Sequence, residues 1–424
     1  MSFITSGVAA LSGKGVAALS GTGVAVLSVT YIPAVTGLTA SSPTASTVNL
    51  SWTGVRGATS YSIVSTPATT TQTTSGTNYT FTGLSSSTSY TFTVTSVGAA
   101  GSGGSTTSSS VTTTASVPKL VAVGQVTDFS AKGKVMTSSN GTAWNGQTSA
   151  DSSQYVRWVS VVWNGSIFVA GGYRYFGLGT YNMMTSSDGI TWVGQVPLSS
   201  PYIYWNSIAW NGSIFVAVGS NGGSTQIITS PNGTTWTSQT PVGGFKAWSS
   251  VKWSGTQFVA VGNPDGLMTS PDGVTWTSQT PAGSGSSASW KSVTWSGTKF
   301  VAVGTGGTYQ VMTSSDGVTW AGQTAAGSGT SWNSVVWSGT KFVAVGAGGT
   351  YQVMTSSDGF TWAGQTAAGS GTQWSSVTWD GGQFVAVGGS GTYKVMTSSD
   401  GVTWAGQTAA DTTIFWNAIT TTVV

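Results

Sequence analysis

Asp188, Asp272, Asp316, Asp358 and Asp400 each stand directly before a glycine and four residues before a tryptophan, as in Ser314-Ser315-Asp316-Gly317-Val318-Thr319-Trp320. A carboxylate recurring in a fixed frame could be an acid/base group, a cation ligand or a turn former. Three features favour the turn. Asn140 and Asn232 replace the aspartate in two further copies, so no negative charge is required. Pro231 and Pro271 precede Asn232 and Asp272, which suits position i+1 of a type I turn. The following glycine can take a positive φ, and the Asx side chain can accept bonds from the turn's own backbone. The other aspartates, Asp128, Asp151, Asp265, Asp380 and Asp411, fall in no motif. Glycoside hydrolysis would need a placed pair of carboxylates. The chain has no His and no Cys, so the usual base and thiol nucleophile are missing. No phosphate-cradling glycine loop, calcium loop or metal-ligand cluster appears. The expectation is a protein that is not an enzyme, with no catalytic residue, no metal and no cofactor.

Charged residues make up only 5% of the 424, with a net charge of +3, where a typical soluble domain carries about 25%. The lysines are scattered, and no basic stripe points to nucleic acid. No apolar run approaches the roughly 18–20 residues of a membrane span. The N-terminus has neither a basic n-region nor a continuous apolar core, so no signal peptide is expected. Ser, Thr and Gly supply the polarity, and 21 Trp in a strict repeat argue against disorder.

The elements that must position the turns are short strands. The box recurs seven times, ending at Trp144, Trp192, Trp236, Trp276, Trp320, Trp362 and Trp404. From the second copy on, each is preceded by a Trp-x-x-(Val/Ile)-x-Trp segment and a Phe-Val-Ala-(Val/Gly)-Gly segment. The leading tryptophans Trp158, Trp205, Trp248, Trp290, Trp332, Trp374 and Trp416 are spaced by 47, 43, 42, 42, 42 and 42 residues. Four strands are expected per unit, in the fifth full unit at 332–337, 341–346, 352–356 and 361–365. Such a period suits a β-propeller. Residues 119–148 lack the Trp-x-x-Val-x-Trp strand, and 416–424 supply only that strand. The expectation is an all-β chain whose residues 117–424 form a seven-bladed β-propeller closed by the C-terminal strand. The box resembles the Asp-box (BNR) repeat of sialidase-like propellers, although here the Asp directly precedes the Gly. Sialidase chemistry would imply an arginine triad and a Glu-paired tyrosine; the chain has only Arg56, Arg157 and Arg174, and no Glu.

Residues 33–116 alternate as a β-sandwich does: Val48–Trp52, Tyr61–Ile63, Tyr79–Phe81, Tyr90–Val94, with a closing strand from Val111. With Trp52, Tyr61 and Gly83-Leu84 before Tyr90, this stretch resembles a fibronectin type III domain. The resemblance implies a spacer and a tyrosine corner at Tyr90. Residues 1–32 carry three octads, at Gly7, Gly15 and Gly23, with Lys14 the only charge. They are too short to bury a core and read as an anchor to other virion proteins, or to copies of itself in a homo-oligomer.

Variation within the repeat gathers on the loops opposite the boxes. The candidate ligand-binding residues there are Tyr155, Arg157, Tyr173, Arg174, Tyr175, Phe176, Tyr202 and Tyr204, with Tyr309, Tyr351 and Tyr393 recurring farther on. Aromatics with a few polar groups suit host-surface glycans. The whole resembles bacteriophage structural proteins in style. The expected function is a non-enzymatic virion component, fibre-like or decoration, located on the particle. The alternatives are a secreted adhesin or carbohydrate-binding protein and a diverged glycosidase.

Overall fold

The computed structural model describes residues 32–86, 88–99, 101–114, 117–126, 134–150, 156–174, 180–197, 203–221, 224–242, 244, 246–283, 288–369 and 371–422. The expected anchor, apart from Ile32, lies outside them. The chain is all-β, with no helix among the described residues. It divides into two compact units at Ser116/Val117.

In the first unit, a three-stranded sheet pairs Thr36–Ser41, Val48–Thr53 and Asn78–Phe81. A five-stranded sheet is built round Ser89–Gly98, which pairs with Ser60–Thr66, Gly101–Thr107 and Val111–Thr112; Gln72–Thr74 extends the far edge. The alternation read in Val48–Thr53 becomes alternating burial, as a sheet with one wet face requires. Trp52, Tyr61, Phe81, Tyr90 and Phe92 fill the core, and the Ser85 N–H donates to Tyr90 Oη at 3.0 Å. Gly101–Thr107 has no apolar residue, and its place follows from close approach. The Gly104 N–H donates to Ile32 O at 3.0 Å, and a Cβ on Gly103 or Gly104 would run into the backbone at Ile32 and Ala34.

The described residues of the second unit form seven four-stranded antiparallel sheets. Sheet one is Asn145–Gln147, Val135–Ser138, Leu120–Val126 and, on its other edge, the C-terminal strand Ile414–Thr421. Sheets two to seven each use four consecutive strands, in sheet six Ser331–Trp337, Phe342–Ala347, Val353–Ser356 and Ala363–Gln365. The Phe-Val-Ala-Val-Gly run is buried along its whole length, which is why it reads as a continuous apolar segment. The fourth strands are three residues or shorter, with exposed or half-buried residues, a length that blunts edge-to-edge pairing. Apolar clusters join consecutive sheets; one holds Val301 and Val303 of sheet five with Trp332 and Phe342 of sheet six.

The expected seven-bladed β-propeller is corrected here. Among the described residues strand pairing stops at the fourth strand of every sheet, leaving separate four-stranded sheets, and no closed barrel or propeller is shown. A period and a strand count define the repeating sheet, and they do not by themselves fix how the sheets are arranged. The fold is all-β: a unit of one three-stranded and one five-stranded sheet, followed by separate four-stranded sheets.

Candidate functional site

The box repeats one set of hydrogen bonds in all seven sheets. In the fifth sheet Ser314 Oγ accepts the Gly317 N–H at 2.8 Å. Asp316 Oδ1 accepts the N–H groups of Val318 and Thr319, each at 2.8 Å. Gly317 sits at φ 73°, and its carbonyl accepts the Trp320 indole N–H at 2.9 Å. The same set recurs at Asp188, Asp272, Asp358 and Asp400. Asn140 and Asn232 do the same work with an amide oxygen. The Thr319 and Val318 N–H groups hold the Asp316 carboxyl down at about 2, since hydrogen bonds to the charged form favour it.

The unassigned aspartates that are described are committed to backbone as well. Asp380 is buried, accepts the N–H groups of Gly382 and Gln383 at 2.9 Å, and pairs with Lys119 at 3.2 Å. Asp265 accepts the Ala288 N–H and Asp411 the Thr413 N–H. Sequence reasoning left Asp380 without a role, yet a signal was present. It occupies the turn position held by Asn164, Asn211, Ser254, Ser296 and Ser338 in other sheets, all of which accept the same two N–H groups. Asp128 and Asp151 lie outside the described residues.

Of the eight candidate ligand residues, the structure brings three together. Arg157 and Tyr173 are cross-strand partners in sheet two, on Val156–Trp163 and Phe168–Arg174. Arg157 Nη1 donates to Tyr173 Oη at 3.0 Å, and the guanidinium carbon lies 5.8 Å from the ring centroid. Tyr204, on the first strand of sheet three (Ile203–Trp210), meets the Tyr173 ring edge-on at 4.6 Å. Burial pushes the Tyr173 phenol up, with the Arg157 charge opposing and Tyr204 reinforcing. Arg174 does not join them. Neighbouring residues on a strand face opposite ways, and Arg174 is buried, donating to Thr180 O at 3.3 Å. Tyr155, Tyr175, Phe176 and Tyr202 lie outside the described residues.

Tyr309, Tyr351 and Tyr393 both cover and expose. Their rings lie over Gly322, Gly364 and Gly406, where any Cβ would collide with them, and they remain 36%, 36% and 38% accessible. Among the described residues no group of three or more His, Cys, Asp or Glu could hold a metal.

Residues 33–114 match the fibronectin type III domain family. They form a fibronectin type III domain.

Several solved structures are similar to parts of the chain. One reported as "Structure of FN3tt mut" is 28% identical over 20% of this chain and 97% of its own, with a TM-score of 0.18. "Crystal structure of domains A168-A170 from titin" is 25% identical over 20% of this chain, which spans 32% of that one, with a TM-score of 0.18. "Crystal structure of Nidogen/Laminin Complex" is 10% identical over 62% of this chain and 97% of its own, with a TM-score of 0.38. No curated protein matches the sequence.

Proposed function

We propose that the chain is a non-catalytic component of a bacteriophage virion, fibre-like or decoration. In this reading residues 1–32 anchor it to other virion proteins. The fibronectin type III domain is a spacer, and the repeat sheets present loops to host-surface glycans. One observation carries the non-catalytic part: all eight described aspartates accept backbone N–H groups. For Asp188, Asp272, Asp316, Asp358, Asp380 and Asp400 such bonds favour the charged form, which makes these six poor proton donors near neutrality. The glycan part is supported by the Arg157–Tyr173–Tyr204 cluster and by the partly open tyrosine rings. The resemblance of the boxes to Asp-box repeats belongs to this proposal as well.

The test has two arms. Mass spectrometry of density-purified particles should find the chain at structural stoichiometry, and its absence from particles removes the virion reading. A glycan array should show binding that Tyr204→Ala weakens, with no hydrolysis of the bound glycan. Turnover of any array glycan by the purified chain would defeat the non-catalytic reading.

A further inference from the structure

The first strand of every repeat sheet carries an irregularity at the same place. Pairing with the second strand breaks between Trp158 and Ser160, and again between Trp205/Ser207, Trp248/Ser250, Trp290/Ser292, Trp332/Ser334, Trp374/Ser376 and Trp416/Ala418. Each break leaves one extra residue out of the ladder, and a bulge of this kind re-aims a side chain. The residues so released are Val159, Asn206, Ser249, Lys291, Asn333, Ser375 and Asn417, and all seven line one cavity of about 520 Å³. That volume lies in the range of small-molecule sites, about 300–1,000 Å³.

We propose that this cavity binds a small oxyanion, a carboxylate or phosphate group, with Lys291 as the charged anchor. Among the described residues Lys291 is the only ionisable one in the lining, and no carboxylate lines the cavity. Three of the lining asparagines are already engaged: Nδ2 of Asn206, Asn333 and Asn417 donates to Trp248 O, Trp374 O and Trp158 O at 2.8, 2.9 and 2.9 Å. Those bonds tie neighbouring first strands together and hold the wall. The donors the lining offers a ligand include the Lys291 ammonium, the hydroxyls of Ser249 and Ser375 and the Asn263 amide, a set that suits an oxyanion. Burial also pushes the Lys291 ammonium below its usual range, the response of a cation short of an opposite charge. The other repeat positions carry Val, Ser or Asn, so the lysine is one departure at a sevenfold-repeated place.

The experiment is calorimetric titration of the full chain with inorganic phosphate and, separately, with citrate, at constant ionic strength in chloride. Binding of either probe is expected, and the tighter of the two identifies the anionic group. Lys291→Met should weaken it roughly tenfold or more, the scale of one charge-assisted hydrogen bond, and Lys291→Arg should retain it. Ser249→Asp places a carboxylate in the same cavity and should abolish it, which keeps the test open if Lys291→Met does not fold. Absence of heat with both probes on the unaltered chain overturns the proposal. So does undiminished binding by a folded Lys291→Met or Ser249→Asp protein.

Discussion

The two ends of each repeat sheet obey different rules. At the box end seven turns share one hydrogen-bond set, and Asp and Asn exchange freely within it. At the other end the loops differ, and there Arg157, Tyr173 and Tyr204 meet across two sheets. Repetition therefore marks what the fold needs. Departure from repetition marks what the fold leaves free, and that is where contact residues are sought. The cavity combines both, with a bulge repeated in all seven sheets and a lysine in only one.

The comparison breaks most severely if the repeated frame tolerates damage. Removing residues 414–424 strips from sheet one a strand that buries Ile414, Trp416 and Ile419. The loss should exceed about 5 kcal/mol, since single buried Trp or Ile truncations already cost about 2–5. Circular dichroism and light scattering should show unfolding or aggregation of the repeat unit. An unchanged melting temperature would mean that the strand is dispensable.

Within one box, Gly317→Ala should cost about 2–4 kcal/mol. Its φ is 73°, and the added Cβ would meet Val259 Cγ2 at 3.0 Å and Phe300 at 3.3 Å, so strain and overpacking add. Gly339→Ala is the control, with φ 98° and nothing within 4 Å; strain alone, about 1–3 kcal/mol, should remain. Equal urea midpoints for the two would remove the packing contribution.

Acid should separate the Asp boxes from the Asn boxes. Asp316 is depressed to about 2, chiefly by the Thr319 and Val318 N–H groups. Asp358 and Asp400 are depressed by their own two turn N–H groups. A folded pKa below the unfolded value, about 3.9, contributes stability that is present above pH 4 and lost as pH falls towards 2. Replacing all five box aspartates by Asn should flatten the stability profile across that window. An unchanged profile would assign acid sensitivity to other carboxylates, Asp380 first among them.

How much of this was legible in the sequence follows from the same contrast. The four strands of a unit were readable because period-2 and continuous apolar runs report burial directly; sheet six differs from the expected spans by two residues or fewer. The box geometry was readable because Pro, Asx and Gly each have one role in such a turn. Gly101–Thr107 was missed because nothing apolar marks it; the backbone at Ile32 and Ala34 and hydroxyl pairs such as Thr95 Oγ1 with Ser105 Oγ at 2.8 Å settle its place. The seven-bladed arrangement went beyond what a repeat can specify. Arg174 was placed in the site by adjacency in sequence, and strand alternation turned it inward. The bulge residues escaped notice because a bulge breaks the periodicity by which strands are read.

The smallest expected effect is also the sharpest check on the box. Asp316→Asn should change stability at neutral pH by no more than about 0.5 kcal/mol, as surface substitutions usually do. Asn140 already holds the same two N–H groups, at 3.0 and 2.9 Å against 2.8 Å for Asp316. The amide keeps the acceptor and loses only the charge assistance on an exposed turn. Asp316→Ala removes the acceptor altogether and strands two N–H groups, so it should cost about 1 kcal/mol, as loss of a helix N-cap does. Below pH 3 the order of Asp and Asn should converge or reverse, because protonation takes from Asp316 the charge that Asn never had. Urea midpoints for the three proteins at pH 7 and pH 2.5 decide it. A large penalty for Asn at pH 7 would show that the box needs its charge, and it would reopen the carboxylates as more than turn formers.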